Sequence, residues 1–278
     1  MLGIALALGS CKRESTQAQP EQTSPDNDTT SLPAALPETD EVAVPQTEEP
    51  LQLSDVIEYQ SNYLIGISYP SEINQYPELA HVLHDYSESA RADLMKAVAA
   101  LGGKPAAVPY ELSLNYDLLE NTPQIVVVAA EGSIFTGQTK SGQPLLARFV
   151  WLPASQQRLN IDQLISSTSG WEALSSYISE RMYTIAHMRT EDEALAPEER
   201  QQVLRSANKA IAAATAPKAE NFNQFEPILD DAGKIAAVRF VFPPYQAGPY
   251  SDGVQSIEVP VAVLLPHVTE KYRPLFAE

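Results

Sequence analysis

Three side chains in the first third of the chain have types and spacing that could hold a metal ion. His81, His84 and Glu88 recur at i, i+3 and i+7, so on a helix they share one face. The apolar stripe of the same helix falls on the opposite face, which leaves the trio facing water. An open helix face offers few ligands and no supporting layer of hydrogen bonds. A solvated face is therefore the simpler interpretation, and we expect no metal or other cofactor.

Sequence signatures of catalysis are few. The chain contains no Gly-x-Ser-x-Gly elbow, phosphate-binding loop or dinucleotide fingerprint. The adjacent acids Asp230 and Asp231 fit a turn better than an active site. A glycan hydrolase would need two carboxylates converging from separate elements, and the sequence does not reveal such a pair. We therefore expect a protein that is not an enzyme.

Cys11 is the only cysteine, so no internal disulfide can form. It follows an apolar run, residues 1–8, that is too short to span a bilayer. The order Leu8-Gly9-Ser10-Cys11 resembles the lipobox of bacterial lipoproteins, which implies a signal in residues 1–10 and a diacylglycerol on Cys11. A buried cysteine in a core helix is the alternative, but a polar tract begins directly afterwards. No basic residue precedes Cys11, although such signals begin with one, so we expect the true start further upstream.

The next segment, residues 12–50, has the composition of a disordered tether. It holds six prolines, no aromatic residue, and nine acidic against two basic residues. Such a segment cannot offset its own ordering entropy, and proline with self-repelling charge keeps it extended. We expect it to hold the folded part off the membrane. Lys12 stands where lipoproteins retained at the inner membrane typically carry Asp, which favours the outer membrane, facing the periplasm, in a host with two membranes.

The acidic composition narrows the choice of partners. Thirty-six acidic against 18 basic residues give a net charge of −18. This charge repels nucleic acid and anionic lipid headgroups and attracts basic partners. The alternative is that it only keeps the protein soluble. With 44% hydrophobic residues, the 278-residue chain can build one large or two small domains.

Hydrophobic periodicity predicts a first lobe over residues 51–155. Apolar side chains recur at helical spacing from Leu79 to Val98, and Gly102-Gly103 ends this helix. Alternating or continuous apolar patterns predict strands over residues 56–69, 110–118, 125–130 and 145–152. The lobe is thus predicted to be a strand meander packed on a helix.

A second lobe is predicted over residues 156–278. A helical stripe begins at Trp171, and Pro197 suits the first position of another helix. Strand-like runs follow over residues 221–229, 235–242 and 256–259, with a turn at Asp230-Asp231-Ala232-Gly233 and a short helix from Val261. Strands and helices in separate groups indicate an α+β fold: an antiparallel sheet meander packed on helices, in two successive α+β lobes.

A corner rich in proline and tyrosine follows the second of these strands. Pro243 and Pro244 cannot donate to a strand ladder, and Gly248 permits backbone angles that larger residues resist. Tyr245 and Tyr250 can bury their rings while their hydroxyls hold the loop, which would make the corner structural. The alternative is a binding corner for a glycan or a partner, formed by Tyr245, Tyr250 and Gly248.

This corner carries a resemblance to a known family. Preceded by Asn221-Phe222-Asn223-Gln224-Phe225 and followed by Gly253 and Val259-Pro260, it resembles the closing motif of a family of bacterial envelope domains. Residues 110–117 and 125–128 are similar to the domain normally found just upstream. Together the two domains form the extracellular part of RsiV-like, lysozyme-sensing anti-sigma factors, and related domains stand beside the catalytic module of some peptidoglycan deacetylases. The resemblance spans about residues 59–276.

The resemblance implies a function. The chain shows neither the sigma-binding segment nor the transmembrane helix of those factors, so we expect a stand-alone lipoprotein. Its relatives imply a non-catalytic binding module for a cell-wall glycan or for a basic envelope protein such as lysozyme. A peptidoglycan-acting enzyme or accessory subunit, and a purely structural envelope lipoprotein, are the alternatives.

Overall fold

The computed structural model describes residues 51–138, 141–192 and 195–277, and these described residues belong to one compact unit. Cys11, the signal and the tether lie outside the described residues. Two sheets and five α-helices in the described part confirm the predicted α+β class. The proposed boundary between two lobes at residue 155 stays a prediction.

The first sheet has six strands arranged in chain order. They are β1 (Val56–Tyr59), β2 (Tyr63–Ser68), β3 (Tyr110–Asn121), β4 (Val126–Phe135), β5 (Gln143–Leu152) and β6 (Gln157–Arg158). All neighbours are antiparallel except β2 and β3, which are parallel because helix α1 (Pro77–Ala99) connects them. The predicted meander thus runs from β3 to β6, and the parallel crossover is an addition that the sequence pattern did not indicate.

One face of this sheet packs on α1. Along β3, Leu112, Leu114 and Tyr116 are buried while the residues between them are exposed, as the alternation predicted. The buried stripe of α1 includes Leu79 and Leu83, and each buried leucine stabilises the fold by about 1.5–3 kcal/mol. The Tyr116 hydroxyl donates to the carbonyl of Leu83 at 2.9 Å, and burial raises the pKa of Tyr116 well above its ordinary value. This face is therefore a closed core.

The second sheet is three-stranded and antiparallel. It consists of β7 (Phe225–Leu229), β8 (Ile235–Phe242) and β9 (Gln255–Pro260), with helices α2 (Ile161–Leu164), α3 (Thr168–Asp192), α4 (Pro197–Ala214) and α5 (Val261–Leu264) around it. Phe222 lies at its centre, stacked on Trp171 and edge-on to Phe240 and Phe242. Val127 and Val150, from the face of the first sheet that points away from α1, join this cluster. The two sheets therefore share a core.

The turn between β7 and β8 is built as the sequence predicted. The Asp230 carboxylate accepts hydrogen bonds from the backbone amides of Ala232 and Lys234, both at 2.9 Å. Gly233 has a φ of +74°. This local bonding gives Asp230 a structural role in the turn.

Candidate functional site

The trio His81, His84 and Glu88 lies on an open face of helix α1. All three side chains lie on the solvent side of α1, because Leu79 and Leu83 orient the helix toward the core. Among the residues that the structure describes, no group of three His, Cys, Asp or Glu side chains could hold a metal ion. The trio thus lies on the solvated face of α1, and within the described residues it is not gathered into a metal-binding group.

The predicted binding corner forms a loop, residues 243–254, between β8 and β9. Tyr245 is 66% exposed and Tyr250 is 42% exposed. Their ring centroids are 5.3 Å apart and their planes are tilted by 35°. Within the described ranges, no residue forms a hydrogen bond with either hydroxyl. The expectation that both tyrosines bury their rings and fasten the loop is therefore wrong.

Other residues fix the corner loop. The side chain of Gln246 donates to the carbonyl of Asn221 at 3.1 Å, and Ala247 is buried in the core of the second sheet. Gly248 allows the loop to fold closely on itself, since a Cβ there would lie 2.7 Å from Asp252 Oδ2. Asp252 also lies 3.6 Å from Arg189 of α3. The loop thus has its own supports, and the tyrosine rings are free to meet another molecule.

Tyr245 has a strained backbone. Its φ is +73°, in the left-handed region that a bulky side chain rarely adopts. This conformation costs about 1–2 kcal/mol for a residue that is not glycine. Since the ring is exposed, core burial does not offset that cost. The sequence pattern marked the residue but gave no sign of this conformation, because φ at Tyr245 depends on how the loop is anchored.

A groove of about 570 Å³ runs between α4 and the corner loop. Its lining combines acidic, amide, hydroxyl and apolar groups: Glu199, Gln202, Val203, Ser206, Ala207, Ala210, Gly248, Pro249 and Asp252. Val203 is 42% exposed on the open side of α4. The hydroxyl groups of a ligand could form hydrogen bonds with the polar groups of the groove, while its apolar faces pack on Val203 or Pro249. The groove is suited to binding.

Sequence reasoning missed a network of ion pairs where the two sheets meet. Arg148 of β5 is buried and bonds to Glu226 of β7, and its Nη2 donates to Glu131 Oε1 at 2.5 Å. Glu226 also pairs with Arg239 at 3.0 Å, and Arg239 pairs with Glu258 at 2.6 Å. The hydrogen bonds that Arg239 donates to Glu258 raise its pKa, burial opposes this rise, and the bond that it donates to Glu226 adds to it. The signal available in the sequence was a lone charge inside each of two apolar runs.

Comparisons with known proteins find similarity to solved structures, among them two from the DUF3298 family. One is a member of the DUF3298 family from Bacteroides fragilis, at 13% identity and a TM-score of 0.47, covering 79% of this chain and 94% of that one. The other is a DUF3298 family protein from Pseudomonas aeruginosa, at 14% identity and a TM-score of 0.43, covering 81% of this chain and 94% of that one. No family model matches the chain, and neither does any curated protein.

The fold and the corner define an α+β protein with two sheets and an exposed tyrosine pair. Its structural neighbours are DUF3298 proteins, and at this level of similarity they assign it no ligand. None of the described helices combines the length and the apolar character that crossing a membrane requires.

Proposed function

We propose that the chain is a non-catalytic cell-envelope binding module, of the RsiV-like kind, whose corner loop contacts a cell-wall glycan. The conformation of Tyr245 carries the proposal: a bulky residue is held at a φ of +73° while its ring stands in water. Strained residues persist where surrounding structure imposes them, and they cluster at ligand-binding sites. The exposed ring does not offset the strain by stabilising the fold, whereas contact with a ligand would give it a role.

The chemistry of the corner suits a sugar. Tyr245 and Tyr250 offer two neighbouring aromatic faces on which the C–H face of a sugar ring can pack. The groove that the same corner loop lines contains Gln202, Ser206 and Glu199, whose side chains can bond to sugar hydroxyls. Apolar faces with a few placed polar groups are typical of small-ligand sites.

A basic envelope protein such as lysozyme is the second candidate. The net charge of −18, together with Glu199 and Asp252 on the groove, favours a basic partner. Complementary charge raises the association rate and the specificity, and salt weakens its effect.

The glycan proposal is tested by titrating the chain with soluble cell-wall oligosaccharides and following binding by calorimetry. We expect Tyr245→Gly and Tyr250→Ala each to weaken binding by about tenfold or more, the loss expected from removing an aromatic contact of about 1.4 kcal/mol. Tyr245→Gly should unfold at the same or a higher urea concentration, because glycine adopts a positive φ without strain.

Tyr59→Ala is the matched control, because Tyr59 is also an exposed tyrosine but lies on β1 of the other sheet. Its removal should leave glycan affinity unchanged. Equal loss in the corner and control variants would contradict the proposal, as would wild-type affinity in Tyr245→Gly. Oligosaccharide that is cleaved during the titration would point instead to the enzymatic alternative.

Binding of a basic envelope protein, the second candidate, is tested in a parallel titration. Binding to a lysozyme-type muramidase is compared with binding to cytochrome c, an unrelated basic protein. Stronger binding to the muramidase that persists at physiological salt supports a specific protein partner. Equal binding to both that disappears at physiological salt reduces the effect to bulk charge.

The same proposal places the chain on a membrane through a lipid on Cys11. In the full-length gene, Cys11→Ala should abolish lipid labelling and release the protein from membranes, because the thiol is the attachment atom. The measurement is fractionation of cells after labelling with a fatty acid. Cys11→Ala protein that is retained on membranes like the wild type would contradict the anchor.

A further inference from the structure

A second polar cleft lies at the open edge of β5. Strand β6 pairs only with Trp151 and Leu152, so the backbone of Arg148 faces outward without a neighbouring strand. Two side chains take the place of that strand. Gln224 Oε1 accepts from the Arg148 amide at 2.7 Å, and Arg158 Nη2 donates to the Arg148 carbonyl at 3.0 Å. Both side chains are thereby fixed in position.

Around these two side chains is an open space of about 410 Å³, named here the edge cleft. Its residues are Arg158, Asn160, Ile161, Asp162, Ala219, Glu220, Asn223 and Gln224. Arg158 and Gln224 are half-buried, while the acids Asp162 and Glu220 are exposed at its margin. Asn223 and Gln224 belong to the sequence motif before β7, so the edge cleft gives that motif a place in the structure.

The charge of Arg158 is not neutralised by the protein. Among the described residues no carboxylate forms an ion pair with it, whereas the buried Arg148 has two acidic partners. The Arg158 guanidinium lies 4.8 Å from the ring centre of Phe149, which shields one side from water. Burial lowers the pKa of Arg158, as expected for a cation without a counter-charge. A carboxylate entering the edge cleft would supply the missing partner, with two-point geometry that guanidinium favours.

The acids Asp162 and Glu220 at the margin of the edge cleft determine which carboxylate-bearing ligands can bind. Asp162 and Glu220 repel a simple anion that approaches Arg158, but they attract an ammonium group. A ligand that carries a carboxylate and an ammonium on one carbon can pair with Arg158 through the first group and with Asp162 and Glu220 through the second. Of the apolar lining residues, Ile161 is buried in the core and Ala219 is partly exposed, so Ala219 offers a small apolar contact for a ligand side chain. We propose that the edge cleft binds a free α-amino acid of this kind, with its carboxylate on Arg158 and its ammonium toward Asp162 and Glu220.

The test titrates the whole chain with alanine, and in parallel with alanine amide and N-acetylalanine. The amide lacks the carboxylate and the acetyl compound lacks the ammonium. We expect saturable binding of alanine, followed by NMR, and binding at least about tenfold weaker for each analogue. No saturation by alanine up to about 10 mM, or equal binding of all three compounds, would overturn the proposal.

Variants locate the site. Arg158→Gln should abolish alanine binding, while Arg181→Gln, which removes another arginine stacked on an aromatic ring, should not change it. Arg158 also supports the edge of β5, so Arg158→Gln could fail to fold. A second variant therefore tests the site without changing Arg158. Asp162→Asn combined with Glu220→Gln removes only exposed charges, and should weaken alanine while strengthening N-acetylalanine. Unchanged preference in that double variant, or wild-type affinity in folded Arg158→Gln, would count against the assignment.

Discussion

Replacing Glu226 by alanine should lower the free energy of unfolding by about 3–5 kcal/mol. Glu226 is only 5% exposed and accepts bonds from both Arg148 and Arg239. Its removal leaves the buried guanidinium of Arg148 with a single, half-exposed partner, Glu131. The cost comes from an uncompensated charge at the place where β5 and β7 meet. Urea unfolding, followed by circular dichroism, measures the change.

Glu258→Ala is the control for this prediction. Glu258 belongs to the same network, but its side chain is 56% exposed, so its ion pair with Arg239 should contribute less than about 1 kcal/mol. A further variant separates charge from packing. Arg148→Met combined with Glu226→Leu removes both buried charges and should recover much of the lost stability. Equal costs for Glu226→Ala and Glu258→Ala would show that burial of the network does not matter.

The ion-pair network also shows where sequence reasoning stops. Arg148 and Glu226 each stand alone in an apolar strand, and 78 positions separate them. Hydrophobic patterns report which face of a strand is buried, but they do not report which distant strand will lie against it. A lone buried charge therefore signals that a partner exists, and the fold alone identifies it.

Features that depend on residues close in sequence were predicted correctly more often than contacts between distant residues. The stripe of α1, its glycine stop and the proline start of α4 depend on neighbours within a few turns, and the structure contains each of them. The parallel pairing of β2 with β3 depends on the return path of α1 across the sheet, which periodicity does not encode. The corner shows both cases. Its residues were marked by the sequence, but neither the exposure of Tyr245 nor its positive φ could be predicted from the local pattern.

Gly132→Ala should lower the free energy of unfolding by about 1–3 kcal/mol, the range expected for forced overpacking. Gly132 lies in β4 opposite Leu114 of β3, where the two backbones approach closely. A Cβ added at Gly132 would lie 1.9 Å from the carbonyl oxygen of Ser113, which is part of the backbone and cannot rotate away. The two central strands would have to separate locally, so their hydrogen bonds should weaken as well.

Gly66→Ala is the matched control, because Gly66 lies in β2 of the same sheet and a Cβ there would have no heavy atom within 4 Å. This change should be neutral or slightly stabilising, since alanine loses less backbone entropy than glycine on folding. Thermal unfolding compares the two variants, and hydrogen exchange of the β3 and β4 amides locates the effect. Faster exchange confined to those strands in Gly132→Ala is the expected result. Equal stability of the two alanine variants would mean that the close approach at Gly132 imposes no constraint on the fold.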